Sequence, residues 1–207
     1  MKFDVIGRIN NMRLPDGRTA ILYCVYEAVS NSIHAINDRF GESEAATKGW
    51  VHVEINTDDE GDISQIEITD NGIGFTPENL ESFETSDSRF KYKRGGKGVG
   101  RFIWIKMFES IHVDSLFLKN SRAERITFQF DPEKENSIVN KHITHEAGRE
   151  IGSKITLSNL RLEQKGRVRT LSYLKDLTLH FFPQFISGTL PVVTIADGGE
   201  IYRLNDY

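Results

Sequence analysis

The sequence predicts an α+β fold in which a layer of helices packs on a layer of strands. Strand-like segments follow one another in the middle of the chain without helices between them, and helical segments flank these runs. A doubly wound parallel sheet needs a helix between successive strands, so that class is excluded. With 207 residues, of which 38% are apolar and 27% charged, the chain can bury the core of one domain. We therefore expect a single two-layer sandwich over residues 1–207.

The first predicted element is a long helix over residues 18–38. Apolar side chains recur on one of its faces at helical spacing, whereas Glu27, Asn31 and His34 project together from another face. The single cysteine, Cys24, belongs to the apolar pattern, which indicates a buried thiol. A lone cysteine has no disulfide partner within the chain and fits a reducing compartment.

A β-hairpin and a short helix are predicted next. Residues 50–56 and 63–69 alternate between apolar and polar side chains, so two strands lead to Asp70. Thr76 can cap the backbone amides of a helix, and the proline after it suits the first helical position. This predicts a short helix that ends at about Phe83.

The remaining chain alternates between one long loop and regular elements. Residues 84–97 are polar, basic and rich in glycine without any period, which predicts a functional loop, whereas residues 99–109 are apolar on nearly all sides and predict a buried helix. The strand-like segments that follow resemble a meander. They are expected at 111–118, 125–130, 137–142 and 154–160, with a last helix at 168–180 and a last strand at 191–196.

The glycine-rich run before the helix at 99–109 predicts a phosphate site. A P-loop would need Ser or Thr after its Gly-Lys pair, but Gly98 follows Lys97, and a dinucleotide fingerprint would need a glycine where other residues stand. What remains is Gly-x-Gly-x-Gly ending at Gly100, which lets backbone amides approach an anion at a helix N-terminus. Lys97 and Arg101 would add positive charge.

A second motif follows the predicted hairpin. Asp70 ends a strand and is followed by Asn71-Gly72-Ile73-Gly74, so its carboxylate is expected at the sheet edge where the backbone turns. A carboxylate there can accept a hydrogen bond from an exocyclic amine such as that of adenine. A simple Asx turn that ends the strand is the alternative interpretation.

A third motif lies on the first helix. Glu27 and Asn31 are one turn apart on the same face, so a carboxylate and an amide can meet the same ligand. Magnesium binds oxygen ligands and keeps several waters, so one amide oxygen plus phosphate oxygens is a plausible set. Glu27 would then orient or deprotonate a water that attacks the terminal phosphate. A solvated polar helix face is the alternative.

Together these motifs resemble the GHKL, or Bergerat-fold, ATPase superfamily, which includes the ninety-kilodalton heat-shock chaperone, MutL proteins, type II topoisomerases and sensor histidine kinases. Glu-x-x-x-Asn-Ser-x-x-Ala from Glu27 resembles the N box of that family, and the glycine motifs at 70–74 and 96–100 resemble its two glycine boxes. Residues 152–157 and the segments from His180 to Ile195 follow the chaperone order. The resemblance implies a mixed, mostly antiparallel sheet that helices cover on one face.

The resemblance also implies a role for each matching residue. Glu27 would be the general base, Asn31 the Mg²⁺ ligand and Asp70 the residue that reads adenine, with Ser153 supporting this aspartate. The other residues implied to contact ATP are Ala35, Gly72 and Gly74, together with Lys97, Gly98, Val99, Gly100 and Arg101 at the phosphates. Residues 84–97 would form an ATP lid.

For function, the resemblance implies slow ATP hydrolysis coupled to lid closure and to formation of an ATP-dependent homodimer. The domain would be the N-terminal module of a longer protein and would act as a switch for downstream domains. Only about 17 residues precede the first helix, which disfavours a histidine kinase with an upstream dimerisation segment. His34 departs from the chaperone and MutL pattern, which has Asp there. A sensor that binds ATP or ADP without hydrolysis is therefore the alternative.

Other functions are disfavoured by the sequence. His142, His145 and Glu146 occur in the order His-x-x-His-Glu on a strand or loop, which differs from the helical zinc-protease motif. Basic and aromatic residues alternate at 90–101, but a lid that closes on a triphosphate needs the same cations, so nucleic acid is expected only through other domains. The formal net charge of -4 also argues against a protein whose whole surface is built to bind nucleic acid. No signal peptide or membrane-spanning run is recognised, and we expect a cytoplasmic protein.

Overall fold

The computed structural model describes residues 7, 11–13, 17–84, 100–131, 134, 137–146, 148, 150–161 and 171–206. The helices within these ranges are α1 (Gly17–Phe40), α2 (Glu42–Lys48), α3 (Pro77–Glu84), α4 (Gly100–Met107), α5 (Leu171–His180) and α6 (Phe182–Ser187). The strands are β1 (Trp50–Thr57), β2 (Ile63–Asp70), β3 (Phe108–Lys119), β4 (Arg122–Phe130), β5 (Ile138–His145), β6 (Gly152–Leu160), β7 (Val192–Asp197) and β8 (Glu200–Arg203).

The strands of the described chain form one sheet in the order β5-β4-β3-β6-β2-β1-β7-β8. Neighbours are antiparallel except β1 and β7, which are parallel. Alternate residues of the strands are buried, and α1 and α4 contribute Ile21, Ala28, Phe102 and Trp104 to the same core. The predicted α+β fold with a mixed, mostly antiparallel sheet is confirmed.

Charged side chains occupy the other face of the sheet. Arg125 forms two hydrogen bonds of 2.8 Å with the carboxylate of Asp114 on the neighbouring strand. Lys154 and Glu67 form an ion pair of 2.6 Å across β6 and β2. One face of the sheet is therefore charged and the other is apolar. A polar side chain buried on the apolar face needs a structural or functional explanation.

The predicted meander is correct only for its first three strands. β3, β4 and β5 pair in sequence order, but β6 returns to the centre of the sheet and pairs with both β3 and β2. The burial pattern explains this, because β6 buries Ile155 and Leu157 whereas most of β5 is exposed and suits an edge. This crossover brings Gly152 and Ser153 beside Asp70.

Other differences from the sequence expectations are local. α4 ends at Met107, and Phe108 already pairs with Leu160 in the sheet, because a continuous apolar run does not mark the boundary between a helix and a strand. Helices α2 and α6 and strand β8 were not expected. The two-residue turn before β8 has both glycines at positive φ, 56° at Gly198 and 86° at Gly199, as a tight hairpin of this kind requires.

Candidate functional site

A row of polar side chains crosses the apolar face of the sheet where β2 ends. Asp70 pairs with Ser153 of β6, and Ser153 pairs with Ser115 of β3. The exposed fractions of Asp70, Ser153 and Ser115 are 5%, 7% and 1%, respectively. Burying a polar group costs free energy unless the group is hydrogen-bonded, so this row depends on the hydrogen bonds that its members make.

Asp70 accepts a hydrogen bond on each carboxylate oxygen. The Ser32 hydroxyl on α1 donates to Oδ2 at 2.8 Å, and the Gly72 backbone N–H donates to Oδ1 at 2.8 Å. The second bond is the Asx turn that was the alternative interpretation, so the turn and a buried carboxylate coexist. Burial raises the pKa of Asp70 to about 6, while these bonds, the Ser153 backbone N–H and the charge of Arg39 oppose the rise.

The two glycines after Asp70 allow close packing. A Cβ atom on Gly72 would lie 2.6 Å from the Cβ atom of Ala35, and one on Gly74 would lie 2.5 Å from the Leu116 carbonyl oxygen. The backbone N–H of Ile73 donates to the Ala35 carbonyl at 2.9 Å. Because the turn rests directly on the middle of α1, it holds Asp70 in a fixed position relative to the helix.

Helix α1 brings Glu27 and Asn31 together as predicted. The Asn31 side-chain N–H donates to Oε1 of Glu27 at 3.2 Å, and both side chains are partly buried. The bond engages the amide nitrogen, and the amide oxygen is the atom that a magnesium ion would bind. His34 is exposed on the same helix.

The phosphate end of the predicted site is described only from Gly100 onward. Lys97, Gly98, Val99 and most of the expected lid lie outside the described residues. Gly100 begins α4. Arg101 is 5% exposed, and its guanidinium carbon lies 5.4 Å from the Phe83 ring centre. Its contact with a phosphate stays a prediction.

The roles of three buried or partly buried polar residues near this site were not predicted from the sequence. Arg39 and Ser115 each connect two backbone segments beside Asp70, as described below. Asn71 accepts from the Trp50 backbone N–H and donates to the Lys48 carbonyl, both at 2.8 Å, and so holds the start of β1. A signal was present for two of them, because Arg39 lies two helical turns after Asn31 and Ser115 interrupts an alternating apolar strand.

The two histidines of the His-x-x-His-Glu segment, considered above as a metal site, do not point towards a common ligand. His142 and His145 are both exposed on β5, and residues three apart on a strand point to opposite faces. Among the described residues, no group of three or more His, Cys, Asp or Glu side chains could hold a metal ion. No helix in the described part of the chain is long and apolar enough to cross a membrane.

Comparison with known proteins identifies the family and supports the fold. The family described as histidine kinase-, DNA gyrase B-, and HSP90-like ATPase matches residues 17–164, more than half of the chain. No curated protein matches the sequence. The crystal structure of the N-terminal domain of a DNA repair protein aligns with a TM-score of 0.56 and 19% identity, over 97% of this chain and 55% of that chain. This likeness supports the fold, and the chain spans about half the length of that structure. From its family match, the chain belongs to the histidine kinase-, DNA gyrase B- and HSP90-like ATPases.

Proposed function

We propose that this domain binds ATP together with magnesium and hydrolyses the ATP slowly to ADP and phosphate. The observation that carries the proposal is the buried carboxylate of Asp70, which lies in a polar row on an otherwise apolar sheet face. Glu27 and Asn31 lie on α1, which also contacts Asp70 through Ser32. The same helix therefore positions the residue that would bind the adenine base and the residues that would act at the phosphates. Family membership supports ATP-binding chemistry at this site.

Asp70 would recognise the adenine amino group. Its oxygens already accept from Ser32, Gly72 and the Ser153 backbone N–H, but a carboxylate has about four lone-pair positions, so one can still accept a further N–H. An ionised carboxylate accepts and cannot donate, so it favours an amino group over a carbonyl. The close packing of Gly72 against Ala35 and of Gly74 against Leu116 would hold the turn, and with it the Asp70 carboxylate, in place for this contact.

Glu27 would act as the general base. Its carboxylate would take a proton from a water while the oxygen of that water attacks the terminal phosphorus and the bond to the ADP oxygen breaks. The bond from Asn31 at 3.2 Å would orient this carboxylate. Asn31 would hold magnesium through its amide oxygen, and a bound magnesium ion supplies charge neutralisation at phosphate oxygens.

The phosphates would bind at the start of α4. A helix N-terminus favours anions through its unpaired amides, and Gly100 is the first residue of this helix. Lys97, Gly98, Val99 and Arg101 would complete this end of the site. In this proposal residues 84–97 close over ATP, two copies of the longer protein associate, and the change is passed to downstream domains in the cytoplasm.

The test is phosphate release by purified protein with Mg-ATP, measured together with ATP affinity. We expect Glu27→Gln to lower the release rate by about 10²- to 10⁴-fold and to leave the affinity within a few-fold, because Gln keeps an acceptor for Asn31 but accepts no proton. Glu109→Gln, at an exposed position of β3, is the matched control and should match the wild type. A wild type that does not bind ATP contradicts the proposal.

A sensor without hydrolysis is the second candidate, because His34 stands where the chaperones and MutL proteins have Asp. It gains support if the wild type binds ATP but releases no more phosphate than Glu27→Gln. The effect of His34 is tested by measuring turnover against pH in the wild type and in His34→Asp. An unchanged pH profile would show that His34 does not tune the reaction.

A further inference from the structure

Two backbone segments beside Asp70 are joined to each other twice. We call residues 70–75 the aspartate turn and residues 151–153, where β6 begins, the serine start. Asp70 and Ser153 are paired across the two strands, so the relative position of these segments decides what the carboxylate and the Ser153 hydroxyl present to a ligand. Arg39 and Ser115 each contact both segments.

Arg39 joins the segments from the helix layer. Its Nη1 donates to the Asn71 carbonyl at 2.7 Å and to the Ile151 carbonyl at 2.8 Å, so one bond reaches each segment. Arg39 is also the charged side chain that acts on Asp70, to which Ser32, Gly72 and Ser153 contribute hydrogen bonds. Its positive charge favours the ionised carboxylate and opposes the effect of burial on the pKa.

Ser115 joins the same segments from within the sheet. The Phe75 N–H donates to its Oγ at 2.9 Å, and the Ser115 hydroxyl donates to the Gly152 carbonyl at 2.9 Å. The Oγ atoms of Ser115 and Ser153 are 3.0 Å apart. A hydroxyl has one hydrogen and two lone pairs. In the arrangement that makes all three contacts hydrogen bonds, the Ser115 hydrogen goes to Gly152 and the Ser153 hydroxyl donates to Ser115.

This bonding pattern fixes the chemical character of Ser153. Its only hydroxyl hydrogen is engaged with Ser115, so towards a ligand or a bridging water Ser153 can offer only lone pairs. An acceptor of this kind beside the Asp70 carboxylate matches an amino group, which carries two N–H donors. The same pair disfavours a carbonyl oxygen, because two acceptors that face each other make no hydrogen bond.

Resting on the proposed function, we propose that Arg39 and Ser115 are positioning residues that make the site select 6-aminopurines over 6-oxopurines. They do so by holding the aspartate turn against the serine start and by keeping Ser153 an acceptor. Neither residue needs to touch the nucleotide for this role.

The first test is the affinity for ADP and for inosine diphosphate, which differ at the 6-position of the base. We expect the wild type to prefer ADP and Ser115→Ala to lower the ratio of the two affinities about five- to tenfold, the change expected for one neutral hydrogen bond. Without Ser115, the Ser153 hydroxyl can turn and donate to a 6-oxo group. Ser115→Cys keeps most of the volume and should change the ratio in the same direction. Ser158→Ala, on the opposite face of β6, is the matched control.

The second test is the pH dependence of ADP affinity. In the wild type, affinity should fall as the pH drops through about 6, where Asp70 takes up a proton. Arg39→Met removes the positive charge and should move the midpoint of this fall to higher pH. Arg39→Lys keeps the charge and should keep the midpoint near that of the wild type. A thermal melt of each variant establishes that it is folded.

The outcomes separate the two proposals. A wild type that binds neither nucleotide overturns the proposed function. A wild type that prefers ADP, with an unchanged ratio in folded Ser115→Ala and Ser115→Cys and an unchanged midpoint in Arg39→Met, overturns only the role of Arg39 and Ser115. A lower ratio together with a raised midpoint supports it.

Discussion

Replacing Asp70 by Asn should make the domain more stable and weaken its binding of adenine nucleotides. Asn has nearly the same shape as Asp, and its Oδ1 can still accept from the Gly72 N–H, which is 2.8 Å from the carboxylate. Its amide N–H can donate to the Ser32 hydroxyl, which is 2.8 Å from the other oxygen. The substitution therefore keeps the bonds to Gly72 and Ser32 and removes the buried charge, together with the favourable effects of the Ser153 backbone N–H and of Arg39 on that charge.

The size of the stability change follows from the pKa. A displacement of the Asp70 pKa from 3.8 to about 6 means that ionising this group in the folded protein costs about 3 kcal/mol more than in the unfolded chain. At pH 7 the variant should therefore be more stable by up to about 3 kcal/mol. Below pH 6 the folded wild type takes up a proton that the unfolded chain does not, so its stability rises until about pH 3.8 and the difference disappears.

The assay is urea unfolding of both proteins at pH 7 and at pH 4.5, followed by calorimetric titration with ADP at pH 7. We expect ADP affinity to fall about 10- to 100-fold, because a hydrogen bond to a charged acceptor is lost and an N–H of Asn faces the donor. Asp59→Asn, in the exposed turn between β1 and β2, is the matched control. The reasoning is refuted if Asp70→Asn is less stable than the wild type at pH 7 and shows the same pH dependence.

Three further changes test other parts of the structure. Gly72→Ala should lower the free energy of unfolding by about 1–3 kcal/mol, because the added Cβ atom would lie 2.7 Å from the Ala35 carbonyl carbon. Urea unfolding measures this change, and an unchanged midpoint contradicts the prediction. Cys24, fully buried with a raised thiol pKa, should react with a thiol reagent only after unfolding, and rapid native labelling would refute its burial. Burial lowers the pKa of His180, whose ring centre lies 4.0 Å from that of Tyr26, so the contribution of His180 to stability should fall as the pH drops below 6.5, opposite in sign to that of Asp70. In urea, His180→Phe should therefore gain stability relative to the wild type as the pH is lowered, and a constant difference between the two proteins contradicts this.

The sequence was most informative where a feature depends on neighbouring residues. Helical spacing placed Glu27 and Asn31 on one face, and strand alternation located Asp70 at the end of a strand; the structure contains both arrangements. Glycine at 72 and 74 indicated a tight turn, and the contacts with Ala35 and Leu116 explain why glycine is needed there.

The sequence was least informative where a feature depends on distant segments. The return of β6 to the centre of the sheet is a pairing between strands far apart in the chain, and alternation within a strand does not identify its partner. Arg39 bonds to a carbonyl 112 residues away, and Ser115 to one 37 residues away. Isolated polar residues of this kind have many possible partners, so their roles emerge only when the sheet order is known.

The contact between the aspartate turn and Ala35 sets a fixed spacing between the two ends of the proposed site. Along α1, Asn31 lies one turn and Glu27 two turns before Ala35, which corresponds to about 6 Å and about 12 Å along the helix axis. Because the turn is bonded to the helix backbone itself, by Ile73 to Ala35 at 2.9 Å, this spacing is set by a rigid helix. If ATP binds as proposed, a nucleotide anchored at Asp70 would reach Glu27 only when its phosphate chain is long enough, so the domain would distinguish nucleotides by the length of that chain. Triphosphate and shorter nucleotides would then differ in which part of one helix they contact.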